Sequence, residues 1–290
     1  MATPSLSQPD QPSTPGCRPN AADARRLFDL TEPIAVVAYG TEVTEAVRTL
    51  GLPGVWDAYF AGRAAPLGRD VPAAVVHAIF YSFADGEVAR HLPRVWDHVT
   101  PQAASAAREQ ASVAVLRRRL GDLADAPAIA RAAELLLRAG TSASTDGRAL
   151  YAAVRTLPIP STALARLWHG ANLLREHRGD GHNAALLTAG LGGTESHVLR
   201  SLASGLPPAQ DGRLGHLPPL RLQAVVAGMR ERGLVGDDGW LTTTGQDVKR
   251  QVEATTDELA APAYDVLDRS DLEQLVQDLT PVAGSLAAAE

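Results

Sequence analysis

The sequence predicts a mostly α-helical protein built from two similar halves, with a small β-wing near its C-terminus. Three observations carry this expectation. Apolar residues recur at helical spacing between Gly and Pro signals, while strand patterns are nearly absent. A shift of 139 residues sets AVRTLGLPG (46–54) on ALLTAGLGG (185–193), helix, glycine turn and helix in both places. The last third then reads as helix, tight turn, short strand and long helix.

Residues 1–20 (MATPSLSQPDQPSTPGCRPN) are rich in Pro, Ser and Gln without periodicity, and are expected to be a disordered tail. Helices follow over 21–30, 41–50, 53–63, 71–81, 85–95, 101–121, 125–139 and 145–157. Leu157-Pro158-Ile159-Pro160 cannot continue a helix, so the chain divides into an N-terminal half, 21–157, and a C-terminal half, 158–290. A helix covers 218–232. RGLVGDDGWLTTTG then offers an Asp-Asp-Gly turn, a strand at Trp240 to Thr242, and Thr244-Gly245 opening the next helix. This order matches the wing of winged-helix regulators of the MarR type, so the halves are read as a MarR-like pseudo-dimer of winged-helix-like units, the first one degenerate.

A DNA reader lines its recognition helix with Arg, Lys, Asn or Gln and puts a basic residue on its wing. Here the helix offers Arg221, Gln223, Arg230 and Arg232, but the wing tip carries Asp237 and Asp238, which repel phosphates. The winged helix is therefore read as retained structure. DNA binding is the alternative.

At 290 residues and 45% hydrophobic content the chain can bury one large or two modest cores. A net charge of −6 argues against a general nucleic-acid or membrane-surface protein. Lys249 is the only lysine, a bias that codon usage explains and that also supplies bidentate anion binders. Cys17 is the only cysteine and sits in the tail, which excludes a disulfide framework and a thiolate metal site. No apolar run reaches membrane-spanning length, so a cytoplasmic location is expected.

The most concentrated polar cluster lies in 164–199. Leu167, Trp168, Ala171 and Leu174 form one apolar stripe, and the same wheel carries Arg175 and Arg178 onto it. Buried guanidiniums need anionic partners, and Glu176, Asp180 or a ligand are at hand. Gly179 and Gly181 are expected to break the helix, with Asp180 capping a new one that begins at His182 and Asn183. Arginines, carboxylates, imidazoles and a positive helix end would then share one corner.

With YFAGRAAPLG (59–68), AIFYSFADGEVARHLPRVW (78–96), LREHRGDGH (174–182) and the RGLVGDDGWLTTTG wing in view, the chain resembles an actinobacterial helix-turn-helix family that includes the SalK-like proteins of natural-product gene clusters. The resemblance spans about 25–285 and implies little about activity, because the family is functionally undefined. Its recurring polar residues fall on Arg63, Arg175, Glu176, His177, Arg178, Asp180 and His182. Thr194-Glu195-Ser196-His197 departs from the apolar residues expected there and adds His197 near the site.

For Arg175 and Arg178 the plain reading is an ion-pair network, and the sharper one an anion clamp. His177 and His182 are either capping and buried residues or a general acid and base. Glu176 and Asp180 would orient them. Arg63 and Tyr59 would bring the first half's contribution to a pocket at the junction, with Trp168 and His197 completing the substrate-binding set. No cofactor is expected. A metal on Glu176, His177 and His182 is the alternative, although these do not share the i, i+4 face of a helical metal site.

The expected function is a cofactor-independent tailoring enzyme of secondary metabolism, acting by cyclisation, isomerisation or elimination on an anionic, largely apolar small molecule between the halves. The alternatives are a MarR-like ligand-responsive regulator and a non-catalytic accessory protein. A homodimer is open.

Overall fold

The computed structural model describes residues 18–288 apart from 213, 215 and 216; the tail expected over 1–20 falls mostly outside them. Twelve α-helices are present among the described residues. In order they are α1 (Ala21–Val36), α2 (Thr41–Arg48), α3 (Val55–Ala64), α4 (Ala73–Ile79), α5 (Pro101–Leu120) and α6 (Pro127–Ser142). They continue with α7 (Ala149–Val154), α8 (Ala163–Thr188), α9 (Gly193–Ala203), α10 (Pro219–Glu231), α11 (Thr243–Ala260) and α12 (Arg269–Ala287).

Local chemistry sets the starts. Asn20 caps α1 in a capping box with Asp23, Asp268 does the same for α12 with Asp271, and Pro101 and Pro127 open α5 and α6 where a missing N–H is harmless. The helix expected over 85–95 is instead two short 3-10 turns, 88–90 and 94–97, because Pro93 supplies no N–H to carry an α-helix across.

Side chains pack into two clusters. The larger joins α1, α2, α3, α5, α6, α7 and α12 to the first half of α8, around Phe60, Leu116, Leu136, Tyr151, Leu167 and Leu275. Glycines allow α6 and α8 to touch. A Cβ on Gly170 would meet Leu136 Cβ at 2.8 Å, and one on Gly140 would meet Leu173 Cβ at 3.0 Å. The smaller cluster joins Leu186 of α8, Val198 of α9, Met229 of α10, Leu234 and Val252 of α11. Thus α8 and α11 run from one cluster into the other. Leu157 to Pro160 separates α7 from α8, yet Tyr151 before it and Leu167 after it share the larger cluster.

Two sequence expectations need correction. The strand expected at Trp240 to Thr242 is a single antiparallel bridge, Val235 with Leu241. Its two bonds are Thr242 N–H to Leu234 O at 3.1 Å and Gly236 N–H to Trp240 O at 2.8 Å, and the pairing stops there because the Thr242 hydroxyl already caps α11 at Gly245. The expected break at Gly179 and Gly181 is absent, and α8 runs unbroken from Ala163 to Thr188. Helical glycine costs about 1 kcal/mol each, which packing on both sides offsets. At Gly181 a Cβ would lie 2.8 Å from Arg148 Nη1 and 3.3 Å from Leu259 Cβ. Asp180 therefore opens no second helix within 163–188; its carboxylate instead accepts the Tyr151 N–H in the first turn of α7, so the helix end at this corner is that of α7. No described helix is long and apolar enough to cross a membrane.

Candidate functional site: an arginine-walled cavity

Where α8 crosses from one cluster to the other, Arg175, Glu176, Arg178, Gly179, Asp180 and His182 line a cavity of about 690 Å³. Phe28 of α1, Phe80 after α4, Leu199 of α9 and Val252 of α11 supply apolar wall. The segment leaving α4 is strapped over α8 and α9. Asn183 Nδ2 donates to Ile79 O at 3.1 Å, and the Tyr81 hydroxyl donates to Leu191 O. Only glycine fits beneath that strap at 193, where a Cβ would fall 1.8 Å from Tyr81 O.

One end of the cavity is built on α3 and α8. Arg63 Nη1 donates to the Tyr59 hydroxyl at 3.0 Å, its Nη2 lies 3.5 Å from Glu176 Oε2, and its guanidinium sits 4.6 Å from the Phe80 ring centre. Arg175 Nη1 donates to the Tyr39 hydroxyl at 3.0 Å and lies 3.5 Å from Glu176 Oε1, while its Nε is 3.0 Å from Glu32 Oε2. Tyr39 donates onward to Glu176 Oε1 at 2.9 Å. Burial works to raise the Glu176 pKa, but Arg63, Arg175 and Arg108 outweigh it and hold the carboxylate below its ordinary range.

The other end belongs to α1, α8 and α11. Arg178 Nη2 donates to Asp257 Oδ1 at 2.9 Å and lies 3.5 Å from Glu253 Oε2. Arg25 donates to Asp257 at 2.9 Å and to Glu253 at 2.6 Å, and Lys249 Nζ stands 3.7 Å from Glu253. The Phe28 ring lies 4.2 Å beneath Arg178. So Glu176 does pair with Arg175, as the sequence suggests, but Arg178 turns to α11. Asp180, two residues on, projects to another side of α8.

Asp180 and His182 flank Gly181. Asp180 Oδ2 accepts the Tyr151 N–H at 2.9 Å, and burial raises its pKa to about 6 in spite of that bond. His182 Nδ1 lies 3.0 Å from Thr256 Oγ1, whose own proton goes to Val252 O at 2.6 Å. The hydroxyl must therefore accept from Nδ1–H, which leaves the lone pair on Nε2. Burial holds the ring neutral by lowering its pKa.

Of the ten residues picked from the sequence, seven line the cavity: Arg63, Arg175, Glu176, Arg178, Asp180, His182 and His197. His177, Trp168 and Tyr59 lie outside its lining. His177 packs edge-on against Tyr151 at 5.0 Å, and burial with the nearby Arg148 pushes its pKa down to about 3. Trp168 lies under the Arg108 guanidinium at 5.5 Å, and Tyr59 stands behind Arg63 as its acceptor. Among the described residues no three His, Cys, Asp or Glu side chains could hold a metal ion. Glu176, His177 and His182 each engage a different partner.

Sequence reasoning missed Tyr39, Arg108, Arg25, Glu32, Lys249 and Glu253. A usable signal exists for Arg108, a charge on the stripe of Ala104, Ser112 and Val115, as it does for Lys249, Glu253 and Asp257, which repeat at helical spacing beside Val252 and Thr256. No local pattern marks Glu32 or Arg25, whose importance comes from what faces α1.

Fold and site together define an all-helical protein with an arginine-walled cavity at the seam between a large and a small helical cluster. The chain belongs to a helix-turn-helix family, whose model matches residues 24–290. No curated protein and no solved structure matches it.

Proposed function

We propose that the protein binds an anionic, largely apolar small molecule in this cavity and acts on it by proton transfer. The carrying observation is that cationic side chains and two proton-exchanging groups line one apolar-walled space of ligand size. Arg63 and Arg175 hold the anion. His182 Nε2 removes a proton, and Asp180, whose pKa of about 6 lets it hold or release one near neutrality, returns it. Residues two apart on a helix do not face each other, so the groups reach a ligand from different sides. Elimination, isomerisation and cyclisation each use one group that takes a proton and one that gives it.

The family's helix-turn-helix character favours a second reading, a ligand-responsive regulator. In that reading the C-terminal half, 158–290, is a winged-helix-like unit, and α2–α3 with α8–α9, each turning at a positive-φ glycine, Gly51 or Gly190, are copies of one element in a pseudo-dimer. Side-chain commitments speak against DNA reading. Arg232 pairs with Glu195 at 2.9 Å, Arg230 Nε donates to Gly236 O at 3.2 Å, and Asp238 accepts the Trp240 N–H inside the turn.

Two measurements decide between them. Small-molecule extract from the source cells, incubated with the protein and followed by mass spectrometry, should show a species converted by the wild type and untouched by His182→Ala. Retention of the gene's own upstream DNA that is sequence-selective and weakens steeply with salt, alongside an unchanged extract, would sink the enzymatic reading.

A further inference from the structure

We infer that the cavity's ligand carries two anionic groups, one at each end, joined by an apolar middle. This deepens the preceding reading and rests on it. At the α3 end three guanidiniums, Arg63, Arg108 and Arg175, stand against two carboxylates, Glu32 and Glu176. Arg108 stands behind the cavity wall, 7% exposed and stacked on the Tyr39 and Trp168 rings, and its charge acts through Glu176, which does line the cavity. The buried Nε of Arg63 and Nη2 of Arg108 lack a hydrogen-bond partner, while Arg175 Nε meets Glu32 Oε2 at 3.0 Å. The carboxylate that Arg63 and Arg175 share, Glu176, lies no closer than 3.5 Å to either. At the α11 end three cations, Arg25, Arg178 and Lys249, stand against Glu253 and Asp257, with Glu253 serving all three. Asp180, between the ends, is balanced by the Arg148 charge.

Each end thus carries one positive charge in excess, largely buried at the α3 end and on the partly exposed Lys249 at the α11 end. Uncompensated buried charge is expensive, so a matched anion removes a penalty at the α3 end and gains a charge-assisted contact at the α11 end. Helix α1 sets their separation. Glu32 belongs to the first end and Arg25 to the second, seven residues apart on one face, which is about 10 Å along the axis. Phe28 lies between them and faces the cavity, with Leu186 and Val252 on other walls. An anion, an apolar span and a second anion fit that order of surfaces.

The test is calorimetric titration of the whole protein at low salt with α,ω-alkane dicarboxylates from adipate to dodecanedioate, each beside its monomethyl ester. At the best length the diacid should bind at least about tenfold tighter than its ester, as a second charge-assisted contact provides. Arg63→Met and Lys249→Met, which each remove one excess cation and leave the Arg178–Asp257 pair intact, should each bring the diacid down to the ester's affinity. Circular dichroism confirms that both variants fold. Equal affinity of diacid and ester at every length would overturn the two-anion inference while leaving the anion-binding cavity in place. Failure of both classes to bind would overturn the cavity reading as well.

Discussion

Two buried titratable groups on α8 make opposite demands of pH. The fold raises the Asp180 pKa from 3.8 to about 6, so it holds that proton more tightly than the unfolded chain does. The group favours folding below pH 3.8, and its contribution is lost as pH rises toward 6. Asp180→Asn keeps an oxygen for the Tyr151 N–H and removes the ionisation. It should stabilise the protein by about 3 kcal/mol at neutral pH, with the gain gone below pH 3.8, and the same variant should lose turnover. A lower melting temperature at neutral pH would show that the charge is welcome there. His177 runs the other way. Its pKa falls from 6.5 to about 3, so its stabilising contribution is complete above pH 6.5 and drains away as acid charges the unfolded chain. His177→Phe preserves an edge contact with Tyr151 and sacrifices no hydrogen bond of Nδ1. Urea midpoints measured across this range should slope less steeply in the variant. Part of the slope remains, because His169 is also buried and its pKa is pushed down to about 4.

Helix α8 carries both the site and the connection between clusters, and its glycines have different tasks. Gly170 lets α6 approach, as the 2.8 Å gap to Leu136 Cβ requires. Gly179 has no such neighbour, since a Cβ would meet only Glu176 Oε2 at 3.7 Å. Helix propensity alone would favour alanine there by about 1 kcal/mol. Yet Gly179 lines the cavity, so we read its missing side chain as room for ligand. Gly179→Ala should therefore raise the melting temperature and weaken conversion or binding. A variant that gains stability and keeps full affinity would show the glycine to be incidental.

Across the whole molecule, α8 and α11 contribute side chains to both hydrophobic clusters, so neither cluster loses them without the other feeling it. The cavity sits at their seam, and its ion pairs tie α1 and α8 to α11 across that line. One cooperative transition is expected. In a variant retaining only Trp240, beside the wing, the fluorescence midpoint in urea should coincide with the far-UV circular-dichroism midpoint of that same variant, which reports helices of both clusters. Separate midpoints would mean that the clusters unfold as independent units.

The sequence by itself determined most of the helices and the inward direction of Arg175 and Arg178, because a 3.6-residue period and the cost of burying charge are local properties of the chain. Arg63, Asp180, His182 and His197, singled out from the sequence and its family resemblance, all line the one cavity. Continuity of α8 was decided by tertiary packing, since Arg148 and Leu259 press on Gly181 from segments distant in the chain. The same holds for the sorting of the histidines. Residues 177 and 182 look alike in a list of imidazoles, but one is walled in by Tyr151 and the other meets Thr256 at the cavity edge. Partner choice is likewise non-local: Arg178 pairs with Asp257, 79 positions away, because α11 happens to face it. Periodicity tells which way a side chain points from its own helix. What it finds there depends on how the helices pack.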